Sequence, residues 1–148
     1  MLRRSQITFL GLNGNQLTAL PAEITRFMAL QLLRLDHNQL TALRAEITWL
    51  TAPQPLMLSG NQLTVLPTEI TRLTALQTLS LNGTLMTTLP SQIGFLSRLQ
   101  HLMLFQVPLQ ILPTQLALLN ATARTEYNPL LCVCLPLLRR NSEIARCK

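Results

Sequence analysis

Leucines recur along this 148-residue chain at a fixed step of 23 residues. Leu12, Leu35, Leu58, Leu81 and Leu104 make one column, and Leu10, Leu33, Leu56, Leu79 and Leu102 a second, two residues earlier. Leu20, Leu43, Leu66, Leu89 and Leu112 make a third; Ile24, Ile47, Ile70, Ile93 and Leu116 make a fourth. A strict period of roughly 20–50 residues marks a stack of similar units, each too small to bury its own apolar face. The chain is therefore read as one such array, its core built up turn upon turn.

Within a unit, Leu33-Arg34-Leu35 alternates apolar and polar residues, which predicts a short strand with both leucines on one face. Asn38 then sits where a short amide can satisfy backbone groups freed by a bend, and Asn15 and Asn61 share its position. Leu40 and Leu43 point back inward. Proline recurs at Pro21, Pro67, Pro90 and Pro113, with Arg44 as the exception, and suits the first position of a helical turn. Glu23 with Arg26, and Glu69 with Arg72, lie three apart, the spacing of a charge pair on an exposed turn.

The full unit, L-x-x-L-x-L-x-x-N-x-L-T-x-L-P-x-E-I-x-x-L, resembles the leucine-rich repeat family in its 23-residue form. It is most similar to the intracellular class whose repeats end in L-P-x-E-I. Residues 7–121 carry about five copies. The resemblance implies an α/β fold: a curved solenoid with a parallel sheet on the concave face and short helical or 3₁₀ segments on the convex face. It also implies a ladder of stacked asparagines and a role in binding other proteins. One domain over 1–148 is expected, with a cap-like segment at 122–148.

The pattern has faults. Pro53 and Pro55 fall at the third strand, which should begin late because proline has no N–H to give a ladder. Thr84 and Val107 interrupt the asparagine column, so the C-terminal half should be less well satisfied. After Leu119 the pattern dissolves, with Thr122 and Thr125 where leucines belong. Six residues before Ile7 are too few to cover the first turn, which points to a truncated chain, to an uncapped edge, or to an edge that pairs with another molecule, a second copy included.

Asn128-Pro129-Leu130-Leu131-Cys132-Val133-Cys134, with Cys147 further on, resembles the opening of the cysteine-rich C-terminal cap of extracellular members of the family. That cap has four cysteines and this chain has three. Three readings stay open: a disulfide from Cys132 or Cys134 to Cys147 with one free thiol, three reduced thiols, or a metal site completed by a histidine such as His101.

Composition narrows the function classes. Charged residues are 12% of the chain, low for a soluble domain, so apolar surface is expected to meet a partner. The net charge is +6, yet eleven scattered arginines and one lysine form no cluster interleaved with aromatics, which argues against nucleic acid. No apolar run is long enough for a membrane span. Ile7 to Leu12, broken by Thr8 and Gly11, is too short for a signal-peptide core, so a cytoplasmic protein is expected. A secreted or cell-surface location is the alternative if the chain is a fragment. No cofactor motif is legible, and no Ser or Cys, histidine and carboxylate set is legible around His37 and His101, the two histidines, so no enzyme is expected. Asn82-Gly83-Thr84 and Asn120-Ala121-Thr122 match the glycosylation sequon, which carries meaning only in a secreted chain.

The strand residues that alternate away from the core vary from unit to unit, whereas the core columns do not. Phe9, Leu32, Arg34, Asp36, Met57, Ser80, His101, Met103 and Phe105 are the candidate partner-binding set. Methionine and phenylalanine on a concave sheet are the anchors that a protein interface uses. A protein partner is expected there; a ligand-recognition domain outside the cell, or the recognition part of a larger kinase or ubiquitin ligase, are the alternatives.

Overall fold

The computed structural model describes residues 7–45, 47, 50, 55–119 and 122–124. Six three-residue strands form one parallel sheet in sequence order: β1 (Phe9–Gly11), β2 (Leu32–Arg34), β3 (Pro55–Met57), β4 (Thr78–Ser80), β5 (His101–Met103) and β6 (Thr122–Arg124). Phe9 pairs with Leu32, Pro55 with Thr78, and Thr78 with His101, so the 23-residue step of the sequence is also the register of the sheet. The middle residue of each of the first five strands is a leucine of the second column, and Leu33, Leu56, Leu79 and Leu102 are at most 1% exposed. This is an α/β leucine-rich solenoid whose strands alternate one side chain in and the next out.

Behind the sheet, 3₁₀ turns span Ala22–Arg26, Thr68–Arg72, Ser91–Phe95 and Thr114–Leu118. The prolines stand just before these turns in extended conformation, at the cap and not at the first helical position expected. The Pro21 carbonyl accepts from Ile24 N at 3.1 Å, and Arg44 does the same for Ile47 at 3.1 Å. Proline therefore fixes φ there but is not needed for the bond, which explains how Arg44 substitutes. Glu23 and Arg26 do not pair, nor do Glu69 and Arg72; the Glu69 carboxylate instead accepts from Thr68 Oγ1 at 3.2 Å.

The ladder is present at Asn38 and Asn61, while Asn15, in the first turn, donates to Leu12 O at 2.9 Å within its own turn. Asn38 Oδ1 accepts from Leu17 N at 3.1 Å, while its Nδ2 donates to Leu12 O at 2.8 Å and Leu35 O at 3.0 Å. Asn61 repeats this one turn later, accepting from Leu40 N at 3.1 Å and donating to Leu35 O and Leu58 O at 2.9 Å. Each amide thus ties three backbone groups from two turns. Thr84 keeps one contact, Oγ1 to Leu81 O at 2.7 Å, and Val107 is buried with no polar group to offer.

The late start of the third strand is visible on one side only. β2 and β3 pair from Leu33↔Leu56 onward, whereas β3 and β4 pair from Pro55. Elsewhere the entry residues converge on one carbonyl: Gln31 N and Leu32 N both donate to Thr8 O, and Gln100 N and His101 N to Gln77 O. Pro55 has no hydrogen to give at that point.

The sequence pattern ends too early in one respect. β6 extends the sheet past the last leucine repeat, with His101 paired to Thr122 at a step of 21 residues and Ala123 opposite Leu102. The shortened step and the missing leucine hide this strand from a 23-residue count. At the opposite edge the core is thinner: Leu10, Leu12 and Leu17 are half-buried, while their counterparts Leu33, Leu35 and Leu40 are fully buried.

Candidate functional site: the concave strand face

Three rows of side chains cross the concave face, one residue per turn in each. The first holds Phe9, Leu32, Pro55, Thr78 and His101; the second, Gly11, Arg34, Met57, Ser80 and Met103, with Arg124 at the next register position. The third lies just beyond the strands and holds Asn13, Asp36, Ser59, Asn82 and Phe105.

The nine candidate residues all fall on this face, but they do not share one environment. Phe9 and His101 are exposed at opposite ends of the first row, and Phe9 leaves 55% of its surface open. Leu32, Met57, Met103 and Phe105 are half-buried, sunk between neighbouring rows. Asp36 and Ser80 are buried, against the expectation of open contact residues. Their polar atoms are taken up within the sheet: Ser59 N donates to Asp36 Oδ1 at 3.3 Å, and the Ser80 and Ser59 hydroxyls are 2.6 Å apart.

Asp36 also meets Arg34, whose Nε lies 3.5 Å from Asp36 Oδ2. The guanidinium side chain is half exposed, so this pair contributes little to stability, but it holds the arginine along the sheet and balances its charge. Asn82 serves the third row as Asp36 does, its Oδ1 accepting from Phe105 N at 2.8 Å. Asn82 and Thr84 of the first sequon are both engaged in this internal bonding. The third row is thus a seam in which a carboxylate or amide bonds the backbone of the following turn. Sequence reasoning missed it because Asp36, Ser59 and Asn82 differ in type; only their shared acceptor or hydroxyl chemistry marks the column.

The resulting surface is a polar seam beside half-buried apolar side chains, with the Arg34–Asp36 pair at its second turn. Among the described residues no three His, Cys, Asp or Glu side chains come together as a metal site would need, and no helix is long and apolar enough to cross a membrane. Cys132, Cys134 and Cys147 lie outside the described residues.

A leucine-rich repeat protein of Leptospira interrogans has a solved structure that superposes on this one with a TM-score of 0.75 at 34% identity, over 77% of this chain. The chain belongs to the leucine-rich repeat family. It spans 29% of the length of that neighbour's chain. No family model and no curated protein matches the chain. The fold is typically non-enzymatic, and the likeness supports a protein-interaction module in general.

Proposed function

We propose that this leucine-rich repeat chain binds a protein partner across its concave strand face and performs no chemistry of its own. The observation that supports this most directly is the contrast between columns. The inward leucines repeat without change, while the outward row reads Gly11, Arg34, Met57, Ser80 and Met103. Packing constrains the first set and leaves the second to be fitted to something else. Half-buried methionines are suited to that fit, because an unbranched thioether adapts its shape at low cost.

The test is affinity capture from a lysate of the source organism, followed by titration of the recovered partner. A Met57→Glu/Met103→Glu double variant would put two carboxylates under the partner, one of them beside Arg34, and taking them out of water there costs more than that neighbouring charge returns. Affinity should fall by about 2 kcal/mol or more. Phe9→Glu and His101→Glu, at exposed positions, repeat the test without touching half-buried groups. Arg139→Ala/Arg140→Ala should change little. Capture that depends on that arginine pair, falls steeply with salt and ignores the concave variants would replace this reading with electrostatic attachment.

A further inference from the structure

The flank that leads from the concave strands to the convex turns changes character along the solenoid. At one repeat position it carries Gln16, Gln39 and Gln62, then Leu85 and Pro108. At another it carries Ala19 and Ala42, then Val65, Thr88 and Ile111. Leu85, Val65 and Ile111 are 53%, 55% and 64% exposed, although nothing in the core columns requires large apolar groups there. The backbone beneath them is tied from turn to turn. Thr88 and Ile111 form a parallel bridge, Gln110 N donates to Thr87 O at 2.8 Å, and Leu85 N donates to Leu63 O at 3.0 Å. This apolar flank is therefore held in place before anything binds it.

We propose that the flank formed by Leu85, Pro108 and Ile111 is the contact between two copies of this chain, related by a two-fold axis. Charge selects the occupant. Across a two-fold axis a surface meets itself, so any charge near the axis faces its own like. Between Arg72 and Arg124 the chain has a single charged residue, Arg98, which lies beyond the Ser91–Phe95 turn and not on the flank. The whole chain carries +6, so two copies repel in general and approach best where the surface is both apolar and uncharged. A different protein would impose no such condition, and interfaces between identical chains are more apolar than those between unlike proteins. The flank leaves the concave strands open, so this contact is independent of partner binding there.

The test is the molar mass of the purified chain, by light scattering or sedimentation, from low micromolar to high micromolar concentration. The chain should dimerise, and more tightly as salt rises, because salt screens the repulsion between two cationic copies. Leu85→Lys and Ile111→Lys each place a charge against its own copy and should raise the dimer dissociation constant at least tenfold. Thermal melts check that these exposed substitutions leave the fold intact. Phe95→Lys, 59% exposed on the convex turn, should leave the dimer unchanged. A wild-type chain that stays monomeric throughout overturns the proposal. So does a dimer that survives both flank variants, yields equally to Phe95→Lys, or weakens as salt rises.

Discussion

The imidazole of His37 occupies the space where a side chain on Gly60 would begin: a Cβ on Gly60 would lie 2.6 Å from His37 Nδ1 and 3.1 Å from its Cε1. The two residues hold the same position in successive turns, and both are left-handed, with φ of 54° at His37 and 66° at Gly60. Gly14, Gly83 and Gln106 complete the column, with φ of 69°, 63° and 54°. Each of the first five strands is therefore followed by a left-handed residue in its turn. Gly14 differs from Gly60 in having open space around its own would-be Cβ. Gly14→Ala should cost only the backbone term, about 1–2 kcal/mol. Gly60→Ala must also displace the imidazole and should cost about 1 kcal/mol more. Adding His37→Ala to Gly60→Ala should remove that excess, which denaturant midpoints of the four proteins would show. Equal costs at Gly14 and Gly60 would mean that the ring swings aside freely.

The left-handed column also marks how far the sequence could be read. Glycine, at Gly14, Gly60 and Gly83, is the residue type that suits this conformation, whereas nothing in the residue type of His37 or Gln106 announces it. The solenoid itself was legible because packing repeats leucine without exception at Leu12, Leu35, Leu58, Leu81 and Leu104. The third row on the concave face was not. Strand alternation correctly sends Asp36 and Ser80 outward, yet whether an outward side chain meets water depends on its neighbours in adjacent turns. Bonds to Ser59 from both residues shield them, and a one-dimensional pattern does not contain that information. β6 was missed for a similar reason, since its position is fixed by pairing with β5 and not by a leucine at the expected count.

Stability should follow the inward columns. Leu58 is completely buried in the middle turn, with the leucines of two neighbouring turns around it. Leu58→Ala should cost about 2–5 kcal/mol through lost burial and the cavity left behind. Arg72 ends an exposed 3₁₀ turn and forms no ion pair with Glu69, so Arg72→Ala should stay within about 0.5 kcal/mol. Urea titrations distinguish the two directly. Comparable losses would contradict the assignment of the columns to the core.

Gly94 is required by packing and not by φ. It is buried in the Ser91–Phe95 turn, and a Cβ there would run into the Gln115 carbonyl oxygen and lie 2.6 Å from its carbon. The equivalent positions in other turns are Thr25 and Thr71, so the last two convex turns approach more closely than their predecessors allow. Since alanine ordinarily favours a helical turn over glycine, Gly94→Ala would stabilise an open site by about 0.5–1 kcal/mol. Here the obstacle is backbone, which cannot rotate away, and the substitution should instead cost about 1–3 kcal/mol. A raised melting temperature would show that the Thr114–Leu118 turn can move outward without loss.

The asparagine ladder offers a substitution that should make the protein more stable. Asn61 accepts from Leu40 N and donates to Leu35 O and Leu58 O, whereas Thr84, one turn on, donates only to Leu81 O. Thr84→Asn would keep the bond to Leu81 O and, by the same geometry, reach Leu63 N and Leu58 O. Leu58 O already accepts from Asn61, but a carbonyl has two lone pairs, and Leu35 O already takes both Asn38 and Asn61 at 3.0 and 2.9 Å. Thr84 is 1% exposed, so the new bonds would form away from water, and the two side chains are close in size. At about 0.5–1.5 kcal/mol net for each hydrogen bond, two added bonds should stabilise by about 1–3 kcal/mol. Asn61→Thr should lose a similar amount in the opposite direction. Denaturant midpoints of the two variants test the symmetry. If Thr84→Asn lowers the midpoint while Asn61→Thr also lowers it, the fourth turn is spaced for a hydroxyl, and the ladder ends there by packing and not by a gap in its chemistry.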